Sequence, residues 1–295
     1  MTIKKAGYAV ITGRPNVGKS TLMNALLGEK VSITSPKPQT TRWQIAGIHG
    51  VGDTQIVFID TPGVNDNKER AMNRYLNRMA TAVYDQADVI VFVVDAKQWR
   101  EEDAMVLAHI KNVNKPVILA LNKIDLLDNK SELLPIITKM NDKYPFAAIV
   151  PMSAQGKDNL NVLETEIAKF MPEGEAIYPE DQLTDKSVRF LVAEIIREKL
   201  IYATEDELPY TTSVQIEEFK ASEALTEINA LIWVEREGQR AIVIGKGGEK
   251  LKKIGTQARK EIERLIGSKV FLRLWVKVKA DWTDDEAALR SLGLE

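Results

Sequence analysis

Residues 13–21, GRPNVGKST, have the composition and spacing of a loop that binds phosphate. The glycines of the pattern G-x-x-x-x-G-K-[ST] allow a tight turn whose backbone N–H groups face phosphate oxygens. A helix starting at Lys19 would add partial positive charge at its N-terminus. Lys19 is expected to reach the β- and γ-phosphates of a nucleotide, and Ser20 to bind Mg²⁺. We therefore predict that the whole loop binds nucleotide, namely Gly13, Arg14, Pro15, Asn16, Val17, Gly18, Lys19, Ser20 and Thr21.

The tetrapeptide NKID, at Asn122–Asp125, predicts which nucleotide base the chain binds. A phosphate loop alone would also fit an ATPase or a nucleoside kinase. Asp125 can accept hydrogen bonds from both N1–H and the exocyclic amine of guanine, a pair that adenine lacks. We expect Asn122 to hold neighbouring loops together and the stem of Lys123 to lie against the base. The backbone of Ser153 and Ala154 in SAQ is expected to contact the guanine O6.

Two further segments are predicted to respond to the γ-phosphate. In DTPG, at Asp60–Gly63, Asp60 would hold Mg²⁺ through a water molecule, with Thr61 and Pro62 beside the nucleotide and the Gly63 amide at the γ-phosphate. The polar segment 32–42 offers Thr40 and Thr41 to complete the Mg²⁺ shell; we favour Thr41, and the sequence leaves both open. The predicted metal ligands are Ser20, Thr41 and Asp60, and the predicted catalytic residues are Lys19, Thr41, Gly63 and Asn16.

The elements that must position these motifs alternate in the first 170 residues. Apolar runs predict strands at Tyr8–Thr12, Gln44–Gly50, Gln55–Asp60, Val89–Asp95, Val117–Asn122 and Ala147–Met152. Helices are predicted at Lys19–Leu27, Lys68–Tyr84, Asp103–Lys111, Ser131–Tyr144 and Asn159–Phe170. This order implies crossover connections and a mostly parallel sheet flanked by helices, an α/β fold that binds ligands at the carboxyl edge of its strands.

The second half of the chain has a different order of elements. An acidic segment with two prolines, residues 172–185, reads as a linker after a first domain at 1–171. A second domain at 186–282 and a tail at 283–295 follow. The predicted elements are a helix at Lys186–Tyr202, strands at Tyr210–Phe219 and Glu227–Glu237, a helix at Glu249–Ile266 and a strand at Lys269–Lys279.

The second domain contains a strongly basic segment. Residues 240–279 include twelve Lys or Arg and three Glu, whereas the whole chain has a net charge of −2. Such asymmetry favours a polyanion-binding surface over a solvated helix face. The GKGG turn between helical segments would let backbone N–H groups approach a nucleic-acid backbone. The predicted RNA-binding residues are Arg240, Ile244, Gly245, Lys246, Gly247, Gly248, Lys250 and Lys253.

Three tryptophans of this domain could stack on bases. They are Trp233, Trp275 and Trp282. For Trp233 and Trp275 we favour core packing, because both lie in predicted strands.

Together the motifs GRPNVGKST, PQTTR, DTPG, NKID and SAQ resemble the translation-factor-related GTPases. The second-half segments VEREGQ, VIGKGG, LWVKVKADW and ALRSLGL narrow the resemblance to the bacterial Era family, over essentially the whole chain. That resemblance implies a Ras-like, P-loop GTPase domain followed by an α+β type II KH domain. It also implies Mg²⁺ as cofactor, binding of 16S rRNA near its 3′ end during assembly of the 30S subunit, a monomeric state and weak peripheral association with the inner membrane.

Hydrolysis of GTP is predicted to be slow. Many signalling GTPases orient the attacking water with a Gln directly after DxxG, and here that residue is Val64. Arg14 and Arg42 are alternative cis donors of charge, although a loop Arg is more often a solvated group. In related GTPases Asn at the position of Asn16 holds K⁺ beside the phosphates; the alternative is that Asn16 only stabilises the loop turn.

Composition excludes several other chemistries. The 295 residues include no Cys and only two isolated His, which excludes disulfides and thiol catalysis and disfavours a histidine metal site. No apolar run reaches membrane-spanning length, so we expect a cytoplasmic protein. Two alternatives stay open: a regulatory switch that docks on a protein or membrane surface through the basic domain, and an RNA-binding module with a vestigial nucleotide pocket.

Overall fold

The strands predicted in the first half of the chain form one sheet in the computed structural model. The structure describes residues 3–35, 37, 40–62, 82–204, 211–222 and 224–285. These residues divide into two compact units. The first unit contains the described residues up to 32, 41–62 and 82–185, and the second contains those of 33–40 and of 186–285.

The sheet of the first unit has six strands in the order β2-β3-β1-β4-β5-β6. All neighbours are parallel except the outermost pair, β2 and β3. Every residue of β3 and β5 is buried, as expected for strands covered on both faces. The strands are β1 (Lys5–Thr12), β2 (Ile45–Val51), β3 (Thr54–Asp60), β4 (Val89–Asp95), β5 (Val117–Asn122) and β6 (Ala148–Pro151).

Helices of the first unit follow the strands that end at its carboxyl edge. One core cluster joins Phe92 and Leu119 of the sheet to Leu107, Ile110 and Met140 of the helices. The helix predicted at Lys68–Tyr84 falls mainly on residues 63–81, outside the described part of the chain. The four described helices are α1 (Lys19–Leu27), α2 (Glu101–Ile110), α3 (Leu133–Asn141) and α4 (Leu160–Ala168).

The segment 172–185, predicted as a linker, is bound along the first unit. The Ile48 amide donates to the carbonyl oxygen of Leu183 at 2.9 Å, and the Ala46 amide donates to Oδ1 of Asp185 at 2.9 Å. The Gln55 side chain donates to the carbonyl oxygen of Tyr178 at 2.8 Å. The first two of these bonds satisfy backbone N–H groups of the edge strand β2, and the third ties the segment to β3.

The second unit has the element order α-β-β-α-α-β around a three-stranded sheet. The strands are ordered β7-β8-β9, with β8 antiparallel to β7 and parallel to β9. Its core packs one face of the sheet against helices α5 and α7. The elements are α5 (Val188–Ala203), β7 (Ser213–Ala221), β8 (Leu225–Val234), α6 (Glu237–Ile244), α7 (Glu249–Ile266) and β9 (Lys269–Val278). Within the described ranges, no helix is long and apolar enough to cross a membrane.

One predicted strand is too long. The interval Glu227–Glu237 was assigned to a strand throughout, but β8 ends at Val234 and α6 starts at Glu237. The side chain of Gln239 accepts hydrogen bonds from the amides of Glu235 and Arg236 at 2.8 and 3.1 Å, which fixes the start of α6. This side-chain contact to backbone N–H groups terminates the strand.

The described residues of the range 33–40 are grouped with the second unit, and three of them bind α5 or its C-terminal cap. The Thr34 amide donates to Oε1 of Glu198 at 3.0 Å, and Nη2 of Arg197 donates to the carbonyl oxygen of Thr40 at 2.6 Å. Nζ of Lys37 donates to the carbonyl oxygen of Thr204 at 2.6 Å. Arg197 and Glu198 are buried, and the three bonds are partly buried.

Candidate nucleotide site and nucleic-acid interface

The phosphate loop connects β1 to α1, as its sequence predicts. Gly18 caps α1 in the left-handed region, with φ of 101°. A Cβ atom at Gly18 would lie only 2.5 Å from Nδ2 of Asn122, which donates to the carbonyl oxygen of Val17 at 2.8 Å. Glycine therefore allows Asn122 of the NKID segment to hold the phosphate loop by direct contact.

Lys19 is buried beneath this loop. Its Nζ donates to the carbonyl oxygens of Gly13 at 2.9 Å and Arg14 at 3.0 Å. Burial lowers the pKa of Lys19 to about 8, although the negative charge of Asp60 opposes that shift. A nucleotide phosphate beside Nζ would favour the charged form, because an opposite charge offsets the loss of hydration.

Ser20, Thr41 and Asp60 lie together at the N-terminus of α1. The Ser20 hydroxyl is 2.8 Å from that of Thr41 and donates to Oδ2 of Asp60 at 2.6 Å. Ser32 donates to the same carboxylate oxygen at 3.0 Å. The structure thus brings together the three predicted Mg²⁺ ligands and adds Ser32, to which we had assigned no role.

The carboxylate of Asp60 suits a cation. Burial raises its pKa, against the lowering effects of Lys19 and of the hydrogen bonds from Ser20 and Ser32. Its Oδ1 is buried and has no hydrogen-bond partner in the described part of the chain. A hard divalent cation takes oxygen ligands and would neutralise this carboxylate, so the residues fit Mg²⁺.

The structure separates the two candidate threonines. Thr41 contacts Ser20, whereas the Thr40 hydroxyl donates to the carbonyl oxygen of Lys37 at 2.7 Å and lies 2.5 Å from Oγ of Ser35. Thr40 and Thr41 also fall in different units. Only Thr41 is placed with the other candidate Mg²⁺ ligands.

The base-selecting loop follows β5. Asn122 accepts a hydrogen bond from the Ala154 amide at 2.9 Å, so its side chain joins SAQ to the phosphate loop. Nζ of Lys123 donates to the carbonyl oxygen of Asn16 and to Asp95, both at 2.8 Å. Asp125 lies one turn further and is exposed, with its carboxylate available to a ligand. Ser153 is buried and accepts from the Gly156 amide at 2.8 Å.

The remaining residues that we predicted to contact the nucleotide are buried or half-buried where the structure describes them. Val17 and Thr61 are buried, and the Thr61 hydroxyl donates to the carbonyl oxygen of Ile11 at 3.0 Å. Pro62 is also buried, whereas Pro15 and Thr21 are half-buried. Gly63 and Val64 lie outside the described residues, so their predicted roles stay predictions.

Arg14 is bound within the protein, and the interpretation of it as a solvated charge is wrong. Its Nε donates to Oδ2 of Asp103 at 2.9 Å, and the two side chains are only 7% and 0% exposed. Nη2 donates to the carbonyl oxygen of Gln98 at 3.3 Å. Arg42 is buried as well, with 2% exposure. Asp103 is a partner that sequence reasoning missed, because its spacing from Arg14 gives no local signal.

The candidate nucleic-acid interface is the GKGG turn between α6 and α7. Lys246 and Gly247 are exposed. Gly245 adopts φ of 72°, and a Cβ there would lie 2.7 Å from Cβ of Lys250. The turn therefore depends on glycine at its first position. Ile244 ends α6, and Lys250 and Lys253 lie on the first turns of α7.

A groove of about 380 Å³ starts at this turn. One wall is α7 and the other is the inward face of β9. Arg240 is exposed near the turn and forms an ion pair with Glu237 at 3.3 Å. Sequence reasoning had found the turn but missed most of the groove, which is lined by Gly248, Leu251, Lys252, Gly255, Thr256, Arg259, Leu272 and Leu274.

Two of the three tryptophans do not follow our expectations. Trp275 is 45% exposed, so its assignment to the core is wrong. Trp282 is fully buried and its Nε1 donates to the carbonyl oxygen of Thr211 at 3.0 Å, which excludes stacking on a base in this conformation. Trp233 is half-buried with Nζ of Lys279 4.5 Å from its ring centre.

Fold and sites together define a P-loop GTPase followed by a KH domain. The family described as "50S ribosome-binding GTPase" matches residues 8–123, and that described as "KH domain" matches 207–283. GTPase Era of Pseudomonas fluorescens strain Pf0-1 is 52% identical over 98% of this chain and 96% of its own length. GTPase Era of Pseudomonas aeruginosa strain LESB58 is 53% identical over 98% and 95%. The chain therefore belongs to the Era family of GTPases.

Two solved structures resemble the whole chain. A variant Era of Aquifex aeolicus bound to GDP·AlF4⁻ is 43% identical, with a TM-score of 0.95 over 98% of this chain and 99% of its own. An Era in complex with MgGDPNP and nucleotides 1506–1542 of 16S ribosomal RNA is 42% identical, with a TM-score of 0.95 over 99% of both chains. The predicted fold class and GTPase activity are confirmed.

Proposed function

We propose that this chain is a GTP-switched RNA-binding protein that binds Mg²⁺ and 16S rRNA near its 3′ end and assists assembly of the 30S subunit. The proposed RNA binding rests on the groove beside GKGG, which lies on a strongly basic segment. The same chain also carries the candidate nucleotide site. The similar Era bound to MgGDPNP and 16S rRNA supports the same combination of ligands.

In the nucleotide half, residues of this chain bind and orient GTP. Lys19 and the loop amides hold the phosphates, and Asp125 selects guanine. Ser20, Thr41 and Asp60 would hold Mg²⁺, which neutralises negative charge on the β- and γ-phosphates. Water then attacks the γ-phosphorus, the bond to the β-phosphate oxygen breaks, and GDP and phosphate are released.

We propose that hydrolysis is slow and depends on K⁺ held by Asn16. Asn16 is in the left-handed region, with φ of 64°, and Lys123 binds its carbonyl oxygen at 2.8 Å, so its position in the loop is fixed. Turnover should be faster in K⁺ than in Na⁺, and Asn16→Ala should abolish the difference. Single-turnover hydrolysis in the two salts measures this, and equal rates for the unmodified chain would remove Asn16 from the mechanism.

In the RNA half, the groove offers space for single-stranded nucleotides. KH domains clamp about four nucleotides with their G-x-x-G loop, whose backbone approaches the phosphates. Lys246, Lys250 and Lys253 surround the turn and supply charge. The exposed glycine backbone and the cations together favour RNA over an uncharged ligand.

The test replaces two residues of the turn in the full-length chain. Lys246→Asp with Gly247→Asp should abolish binding of the 16S segment 1506–1542, because like charge would meet the phosphates, while GTP affinity should not change. The matched control is Lys246→Asn with Gly247→Asn, which makes similar steric changes without negative charge and should retain part of the binding.

The same binding measurements distinguish the proposed function from the competing one, a switch that docks on a protein or membrane surface. Unmodified chain that binds anionic vesicles tightly and the 16S segment no better than an unrelated RNA would contradict the proposal. Binding to the 16S segment that weakens as salt rises, and that is lost in the Asp variant, would support it.

A further inference from the structure

Strand β9 presents a regular row of cations and aromatic rings away from the core. Its five outward positions are all exposed, and none is acidic. Phe271 is 44% exposed and Trp275 is 45% exposed. We call this row the outer stripe, and its members are Lys269, Phe271, Arg273, Trp275 and Lys277.

The outer stripe lies on the opposite face of β9 from the groove. Val270, Leu272 and Leu274 alternate with it and pack into the core of the second unit, and the last two also line the groove. Since β9 is an edge strand of the described sheet, groove and outer stripe are the two sides of one strand. A chain leaving the groove would cross a single strand, roughly 5 Å wide, to reach the stripe.

Acidic side chains on this face are few and lie on the other strands. Glu218 of β7 forms an ion pair with Lys220, accepts a hydrogen bond from Asn229 and is also attracted by the charge of Arg273. Glu227 of β8 lies beside Phe271 in the strand register. Three cations of β9, Lys269, Arg273 and Lys277, occupy every second position of the outer stripe and give it a positive charge.

We propose that the outer stripe is a second RNA-binding surface, which continues the path of a strand held by the groove. Bases stack on Trp275 and on the guanidinium plane of Arg273, while Lys269 and Lys277 contact phosphates. The carbon of that guanidinium already lies 4.6 Å from the ring centre of Phe271, which holds the plane in place. This inference rests on the proposed RNA-binding function.

Charge and geometry favour RNA as the occupant. Alternating cations and aromatic rings match the alternation of phosphates and bases in a single strand. Phe271 and Trp275 are four residues apart, about 13 Å along the strand, which leaves room for separate bases. A protein partner would need acidic groups placed between apolar ones at the same spacing.

The experiment compares two RNA lengths on the full-length chain. The long probe is the 16S segment 1506–1542, and the short probe is the tightest of the tetranucleotides tiled across it, because about four nucleotides fill a KH groove. Trp275→Ala should weaken the long probe about tenfold, within the range for loss of one stacked base, and change the short probe less than twofold. Trp275→Phe should restore most of the affinity.

A matched control and a salt series complete the test. Tyr202 on α5 is 56% exposed and lies outside both surfaces, so Tyr202→Ala should leave both affinities unchanged. Lys269→Ala with Lys277→Ala should reduce the slope of log K against log salt for the long probe by about 1.4, the value for two lost phosphate contacts. Thermal unfolding of these variants should match that of the unmodified chain, because the side chains are exposed.

Three results would overturn the inference. Unchanged affinity of Trp275→Ala for the long probe would exclude RNA at the stripe and favour a protein partner there. Equal losses of affinity for both probes would mean that Trp275 only maintains the structure of the groove. Failure of the unmodified chain to bind either probe would refute the proposed function itself, and the inference with it.

Discussion

Asp60 and Asp125, both proposed to act in the nucleotide site, lie in opposite environments. Asp60 is fully buried, with one oxygen bound by Ser20 and Ser32 and the other without a partner in the described part of the chain. Asp125 is exposed after β5. The buried carboxylate suits a cation, whose charge offsets the cost of burial, whereas the exposed carboxylate suits a base that enters and leaves with the nucleotide.

Asp125→Asn should change which base is bound. The amide cannot accept both hydrogen bonds from guanine, but it complements xanthine, which carries an oxygen in place of the amine. Loss of two hydrogen bonds to a charged group corresponds to about 3 kcal/mol, or roughly a hundredfold weaker GTP binding. Equilibrium titration with GTP and xanthosine triphosphate measures the change. Asp128→Asn, at another exposed carboxylate of the same loop, is the control, and unchanged GTP affinity of Asp125→Asn would refute the assignment.

Thr41→Ala should weaken Mg²⁺-dependent binding of a GTP analogue about tenfold relative to GDP, because only the triphosphate form recruits this hydroxyl. Thr40→Ala should not, since the Thr40 hydroxyl is bonded to Lys37 and Ser35. Titrations with and without EDTA separate the two, and removal of Mg²⁺ should erase the effect of Thr41→Ala. If Thr40→Ala weakened binding of the analogue and Thr41→Ala did not, the metal ligand would be Thr40 instead.

At the scale of secondary-structure elements, a buried ion pair between Arg14 and Asp103 joins helix α2 to the phosphate loop. Burial raises the pKa of Asp103, while the Arg100 amide and Arg14 oppose the shift. Because both side chains are almost inaccessible to water, removal of one partner leaves the other charge uncompensated. The pair therefore fixes the entry of the phosphate loop relative to α2.

Arg14→Met should destabilise the nucleotide-free first unit by about 3 kcal/mol, and Arg14→Met with Asp103→Leu should recover most of that loss. Native-state amide hydrogen exchange of β1 and β4 reports the unfolding of this unit alone. Should Arg14→Met instead lower GTP turnover and leave exchange unchanged, Arg14 would act on the nucleotide as a donor of charge.

Strand positions were predictable because they depend on local pattern. The buried run Val89–Asp95 and the run Val117–Asn122 match β4 and β5 to the residue, since burial on both faces requires a continuous apolar sequence. The bounds of helix α6, expected only as a helical segment before GKGG, were not predicted, because the helix has eight residues and Gly238 in its first turn, so its sequence signal is weak.

Side-chain partners across the fold were not predictable in the same way. The phosphate-loop and NKID patterns predict which residues would converge on a nucleotide. Neither Asp103 beside Arg14 nor Leu272 and Leu274 in the groove wall can be read from spacing, because their roles arise only when distant elements pack. Trp275 was misassigned since an aromatic residue in a strand has the same local pattern on either face.

At the scale of the whole molecule, the segment 33–40 connects the chemistry of the first unit to the second. Thr41 contacts Ser20 in the candidate nucleotide site, whereas the preceding carbonyl, of Thr40, accepts from Arg197 of α5. Glu194 holds Arg197 with two hydrogen bonds of 2.7 and 2.6 Å, so this donor is fixed in place. We propose that recruitment of Thr41 by Mg²⁺ and the γ-phosphate alters the bonds of residues 33–40 to α5, and thereby the affinity of the KH domain for RNA.

The affinity of the full-length chain for the 16S segment 1506–1542, measured without nucleotide, with GDP and with a non-hydrolysable GTP analogue, tests this switch most directly. We expect the GTP analogue with Mg²⁺ to tighten RNA binding at least about fivefold relative to GDP, the lower end of common allosteric couplings. Linkage then requires RNA to tighten binding of the analogue, relative to GDP, by the same factor. Identical RNA affinity in all three states would contradict the switch.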